Sequence, residues 1–437
     1  VKYSILTFGC RVNQADSFEF DEGLRARGAV ESAVEDADLV IVNTCTVTGA
    51  ADQGARQTIR RIARHNSRAR IVVTGCYATR TPDQLAGLPN VIRLVPNDGK
   101  PRLVECLDDE FPLTTAARFG EGHGGCGAVE PGAMGRTAYP LRVQTGCNET
   151  CAYCIIPSTR GASRSRPLDE VLAEASRLAM SGYKELWLVG VHLGSYGRDL
   201  APPSSLLDLA RALDRLPGDV TCRISSLEPM DCPDELVDLV ARSGRFAPHF
   251  HLPLQHTSDR VLRAMRRPYT FASFERLVTG IRSRIPHAFI GSDLIAGFPG
   301  ETDDDMAYAL EMLPTLPLAA LHVFPYSDRP GTDAAAMDRK VPASVATRRA
   351  RHLRDVGRAL GDRFARSMQG TTRPGLTLDD GTTVLTDNFL KVRIAAGLPR
   401  NVRVSVRIDR VGASMSGTVV SSNASVVSRQ SSVVRRQ

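Results

Sequence analysis

The chain reads as an α/β protein built on parallel sheets and ending in a small β domain. Three observations carry that reading. Short β-branched apolar runs alternate with segments of helical period through most of the chain, as strands and crossover helices do in parallel α/β folds. Each of the first three such runs is followed by a cysteine. Past Gly370 the helical period gives way to short strands in close succession, the pattern of a small barrel. A length of 437 residues leaves room for about three domains.

The first domain, 1–110, sets strands at 3–8, 39–43 and 71–74 against helices at 17–27 and 51–64. In a parallel sheet every strand delivers its carboxyl end to one edge, where open α/β folds place their ligands. Cys10, Cys45 and Cys76 follow those strands and are predicted to converge, although they lie far apart in the chain. A single buried cysteine is usually inert core. Three at equivalent strand ends predict the ligands of an iron–sulfur cluster with one iron free of protein thiolate.

The run Cys147-Asn-Glu-Thr-Cys151-Ala-Tyr-Cys154 places three more thiolates within eight residues. Electron-transfer clusters close their coordination with four cysteines. A three-cysteine loop therefore leaves a position where a ligand can be bound and activated, as open catalytic metal sites do. A structural zinc would ask for a fourth Cys or His at short range, and the next histidine is His192.

From there, strands at 141–145, 185–191, 220–225, 246–254, 288–296 and 320–326 alternate with helices at 168–180, 206–216, 234–243, 271–284 and 304–316. Polar or Gly-rich segments close several of these strands, beginning at Gly190, Ser225, Gln255 and Asp293. For any one Ser, Gln or Asp the plain alternative is a loop hydrogen bond. His192, His249, His251, His256 and His322 read first as satisfied polar groups, not metal ligands. Residues 111–139, Gly-rich and poor in apolar side chains from 114 onward, form a linker to the central domain, 140–368. The helix at 343–368 is dense in arginine, most simply a solvated face.

Strands at 376–378, 383–385, 390–394, 402–408 and 417–420 make the last domain, 369–421, and 422–437 reads as a disordered tail. Cys106, Cys126, Cys222 and Cys232 have no partner at ligand spacing. A net charge of +7 favours a polyanionic partner. With no secretory leader and no apolar run able to span a membrane, the chain is expected to be cytoplasmic, with its cysteines reduced.

Taken together, Thr7-Phe-Gly-Cys-Arg-Val-Asn-Gln-Ala-Asp-Ser17, Val42-Asn-Thr-Cys-Thr-Val47, Thr74-Gly-Cys76 and Gln144-Thr-Gly-Cys-Asn-Glu-Thr-Cys-Ala-Tyr-Cys-Ile-Ile-Pro157 with Arg160-Gly161 resemble the radical S-adenosylmethionine (SAM) methylthiotransferases across essentially the whole chain. The resemblance implies a partial (β/α)6 barrel at the centre and a C-terminal RNA-binding TRAM barrel, with Lys391, Arg393, Arg403 and Arg407 toward the RNA. It implies two 4Fe–4S clusters, one on the catalytic Cys147, Cys151 and Cys154 and one on Cys10, Cys45 and Cys76. Tyr153, Gly190, Ser225, Gln255 and Asp293 match positions near SAM in the family. The chain departs from the family pattern at Gln255-His-Thr-Ser-Asp259, where relatives carry Gln-Ser-Gly-Ser-Asp, so its backbone there is expected to sit differently.

In such an enzyme the first cluster reduces SAM to methionine and a 5′-deoxyadenosyl radical, and a sulfur held at the second is methylated and transferred as methylthio. The implied partners are tRNA, a low-potential electron donor such as a flavodoxin and a sulfur donor, with a monomer as the working unit. The segments 9–14, 190–197 and 321–327 look most like the branch acting on N6-threonylcarbamoyladenosine (t6A) beside the anticodon. The alternatives are N6-isopentenyladenosine in tRNA, a ribosomal-protein aspartate, or a nonenzymatic iron–sulfur RNA-binding protein.

Overall fold

The computed structural model describes residues 1–422 apart from 109, 112, 114–129, 380 and 396. Cys126, most of the expected linker and nearly all of the expected tail lie outside the described residues.

The N-terminal sheet is fully parallel, in the order Val30–Glu31, Lys2–Thr7, Leu39–Thr44, Arg70–Gly75 and Val91–Val95. Its central strand Leu39–Thr44 is buried at every position, as a strand covered on both faces must be. The period of two divides its side chains: Leu39 and Ile41 pack with Phe20 and Leu24 of the helix Arg11–Ala26, whereas Val40 and Val42 pack with Ile59 and Ile62 of the helix Gly49–His65. The strand order reverses beside Lys2–Thr7, which makes the carboxyl edge there the usual ligand crevice of an open α/β sheet. The first helix begins at Arg11, not near 17, because Asn13, Asp16 and Ser17 are buried polar residues that look like loop in the sequence.

Six parallel strands follow: Tyr139–Arg142, Glu185–Val189, Thr221–Ile224, His249–His251, Phe289–Ala296 and Ala320–Pro325. They form two three-stranded sheets joined only by the bridges Cys222 to Phe246 and Ser226 to His251, which together make an open barrel. The strand expected at 246–254 shrinks to His249–His251 because Pro248 and Pro253 cannot donate to the ladder. The segment expected at 141–145 splits, and Gln144–Thr145 turns away to pair with Arg164–Ser165. The helix expected at 304–316 runs Asp303–Met312, opened by a capping box between Thr302 and Asp305, and Pro314 tightens its end into a 3-10 turn.

The Arg-rich helix Ala343–Ser367 packs along Ala320–Pro325. Its arginines divide. Arg349 is buried and paired with Glu301 at 2.7 Å and Asp303 at 2.6 Å, while Arg358 stays at the surface. A closed five-stranded barrel of Thr372–Leu378, Thr383–Thr386, Lys391–Arg393, Ser416–Ser422 and Arg403–Arg410 ends the described chain. It plugs the partial barrel: Phe389 packs edge-on against Trp187 and His249, with ring centroids 5.5 and 4.9 Å apart, and buried Arg223 donates to the Asp387 carbonyl at 2.7 Å. Among the described residues no helix is long and apolar enough to cross a membrane.

Candidate active site

Cys10, Cys45 and Cys76 meet because their strands are in register. Thr7 pairs with Asn43, and Thr44 with Gly75, so the residues that follow stand side by side. Burial raises the Cys45 thiol to about 11, and Cys10 and Cys76 are near enough to add to that rise. Gly9 makes the approach possible: its φ is +87°, and a Cβ there would lie 2.6 Å from the Cys45 sulfur. Asn97 donates through Nδ2 to the Cys76 sulfur at 3.6 Å and to the Thr159 carbonyl at 2.8 Å. One amide thus ties this trio to the short helix Ile156–Arg160, just beyond the second.

Cys147, Cys151 and Cys154 share one loop. Gly146, with φ +72°, starts it where any side chain would overlap the Ala162 carbonyl. Burial raises the thiols of Cys151 and Cys154, the latter to about 12. Donors oppose that penalty. Arg267 Nη1 reaches the Cys151 sulfur at 2.9 Å, its other arm paired with Glu228. The backbone N–H groups of Glu149 and Ile156 point at the sulfurs of Cys147 and Cys154, each at 3.4 Å. His192 Nδ1 lies 3.9 Å from the Cys147 sulfur, and its Nε2 bonds Asp231 at 2.7 Å. Burial alone would depress His192, but Asp231 and Cys147 outweigh it and lift it to about 10, leaving a cation beside the sulfur. Such donors favour thiolate and orient it as a ligand.

Among the described residues, only His251, Asp293 and His322 form a His/Cys/Asp/Glu trio with all ligand atoms within 4.8 Å. Three sulfurs, N–H donors aimed at them and glycines where a Cβ would intrude make both trios chemically fit to hold iron–sulfur clusters.

A cavity of about 260 Å³ is lined by Val47 and Thr48, just past Cys45, and by Tyr153, Cys154, Gln255 and Asp293; of the six cysteines only Cys154 is in its lining. His251 Nε2 and His322 Nδ1 both bond Asp293 Oδ1, at 2.8 and 3.1 Å. Burial opposes ionisation of Asp293, but these two imidazoles prevail and lower it to about 2. Gln255 adopts a φ of +67°, its N–H bonded to the Asp293 carbonyl at 2.8 Å. His256 turns inward, 3.5 Å from Glu301. Gly190 and Ser225 are not in this cavity's lining. Gly190 sits against Gln144, whose Oε1 accepts from the N–H groups of Val191 and His192, each at 2.9 Å, and Ser225 is buried beside Leu188.

The first domain is fastened over the barrel by buried charge. Fully buried Asp16 accepts from Lys100 at 2.5 Å and, across the junction, from Arg142 at 2.7 Å and Arg160 at 3.1 Å. Burial penalises this carboxylate, yet the three cations hold it far below the usual range. At the other rim Arg329 donates to Thr46 and to Asp52, both at 2.6 Å. In the C-terminal barrel, Lys391 and Arg393 are exposed, Arg407 pairs with Asp409 at 2.7 Å, and Arg403 is spent on Asp219, Thr221 and the Lys184 carbonyl. Sequence reasoning missed Arg267, Asp231 and Asn97. His192 alone had a signal, its place in a Gly-rich segment after a strand.

Two family models match the chain: "Uncharacterized protein family UPF0004" over residues 2–96 and "Radical SAM superfamily" over residues 141–313. The threonylcarbamoyladenosine tRNA methylthiotransferase MtaB of Thermotoga maritima is 35% identical over 84% of this chain and 85% of its own. Its counterpart from Aquifex aeolicus is 34% identical over 90% and 96%. The tRNA-2-methylthio-N(6)-dimethylallyladenosine synthase of Methylibium petroleiphilum is 32% identical over 85% and 83%. Among solved structures, the radical SAM methyltransferase TsrM from Kitasatospora setae superposes with a TM-score of 0.54 at 17% identity, covering 76% of each chain, a likeness of fold. The class that these family matches define is the radical SAM enzyme, which uses SAM and a 4Fe–4S cluster. Within it, the chain belongs to the methylthiotransferase family, of the MtaB type.

Proposed function

We propose that this enzyme methylthiolates t6A beside the anticodon of tRNA, at the adenine C2–H, using two 4Fe–4S clusters held by Cys147, Cys151 and Cys154 and by Cys10, Cys45 and Cys76. The observation that carries the reading is a cavity whose lining takes in both the loop after Cys45 and the Cys147–Cys154 loop with the barrel strand ends. A carbon that must meet both a radical and a sulfur needs such a shared space. The likeness to relatives named for threonylcarbamoyladenosine supports the nucleoside.

When bound, the clusters supply the electron that splits SAM to a carbon radical and the sulfur that the product carries. The protein's part is placement. Arg267 and His192 direct N–H groups at the radical-loop sulfurs, Asp293 offers a carboxylate fixed by two imidazoles to hydroxyls of SAM, and Tyr153 and Gln255 bound the same space. The Asp16 network holds the two trios at one spacing. Lys391 and Arg393 present cations to RNA phosphates. Cleaving SAM needs the reducing end of the cluster range, so a low-potential donor such as a flavodoxin serves it, and a sulfur donor restores the consumed sulfur. Mass spectrometry of tRNA nucleosides tests the assignment: a strain lacking the gene should lose 2-methylthio-t6A and accumulate t6A, and an unchanged profile would refute it.

A further inference from the structure

Arg11 directly follows Cys10 and opens the helix Arg11–Ala26. Its guanidinium carbon lies 3.5 Å from the centroid of the Trp187 ring. Among the described residues it makes no hydrogen bond and no ion pair. The one carboxylate near enough to influence it, Glu185, is already held by Arg223 at 3.1 Å. The Arg11 charge also reaches His322, which bonds the cavity-lining Asp293. A half-buried guanidinium is normally matched by an anion, because desolvation without a partner is costly. Among the described residues the Trp187 face is its one close contact, with the cations Arg136 and Arg223 nearby, and its donors are left to take a bidentate carboxylate.

The t6A base supplies that group. Its N6 substituent carries one carboxylate, whereas an isopentenyl substituent carries none. Resting on the substrate reading above, we propose that Arg11, backed by Trp187, binds the carboxylate of the N6-threonylcarbamoyl group and so discriminates against adenosines with neutral N6 substituents.

The test measures binding by the reconstituted full chain, using fluorescence anisotropy with anticodon stem-loops that contain t6A, the methyl ester of t6A or unmodified adenosine. Wild type should bind the acid on the order of tenfold more tightly than the ester, the effect of one charge-assisted pair. Arg11→Gln should bring that ratio close to one, and Arg11→Lys should keep part of it. A tenfold ratio that survives in Arg11→Gln overturns the inference. So does an equal weakening of acid and ester, which would make Arg11 a contact to an RNA phosphate. Wild type that prefers both modified loops over adenosine but does not separate acid from ester rejects Arg11 and leaves the substrate standing. Wild type indifferent to all three rejects both.

Discussion

The two cysteine trios bring three sulfurs together by opposite means. One is written into eight consecutive residues and is aimed by side chains from the barrel, Arg267 on Cys151 and His192 near Cys147. The other exists only once three strands are in register; among the described residues its one side-chain hydrogen bond to sulfur comes from the neutral Asn97, at 3.6 Å from Cys76, while the buried cations Arg160 and Lys100 act on its sulfurs only from a distance. The local trio is robust in assembly but leans on cations. The topological trio depends on the whole sheet, and on the charge network that docks it.

The largest effect should come from removing the sulfurs. Replacing Cys147, Cys151 and Cys154 by Ala should abolish SAM cleavage and take away about half the iron, while replacing Cys10, Cys45 and Cys76 should take the other half and leave cleavage in place. Iron analysis with a cleavage assay reads both, and a wild-type protein carrying only one cluster would break the comparison at its root.

Next comes the docking. Asp16→Asn leaves Lys100 and Arg160 buried without their shared carboxylate, and should destabilise the chain by about 3–5 kcal/mol in denaturant unfolding. The pH dependence has a definite sign. Because Asp16 is held below its ordinary value when folded, its contribution is complete above the usual aspartate range near pH 4 and is lost as pH falls toward the folded value. The wild type should therefore lose stability on acidification below about pH 5 more steeply than Asp16→Asn. Equal slopes would deny Asp16 this role.

A smaller change sharpens the contrast between cationic and neutral support. Arg267→Met should cut SAM cleavage by about 10–100-fold through loss of the Cys151 contact. Asn97→Ala should leave cleavage nearly untouched and weaken retention of the other cluster's iron. The smallest effect belongs to the exposed barrel: Lys391→Ala and Arg393→Ala should each lower the salt slope of tRNA binding by about one, whereas Arg403→Ala should act mainly on thermal stability.

Both trios and the strand–helix order were legible in the sequence, since cysteine spacing and apolar period are local properties. The junction was not. Asn13, Asp16 and Ser17 read as loop because burial of a polar residue becomes reasonable only when its partners are known, and those partners, Lys100, Arg142 and Arg160 for Asn13 and Asp16 and Asn43 for Ser17, come from distant segments. Arg267 is invisible for the same reason, one of two adjacent arginines with nothing local to separate it from Arg266. The fourth barrel strand was overdrawn because its apolar pattern continues through prolines that the ladder cannot accept.

The carboxylate of Asp16 belongs to one lobe and two of its three cations to the other, so the lobes are not independent modules for recombination. A chimera that grafts residues 1–110 of a relative onto this barrel would bring a foreign set of counterparts to Arg142 and Arg160, and would fold poorly unless both sides of the junction travelled together. The pair is inherited as one lock, and the cavity that Thr48 and Asp293 share is inherited with it.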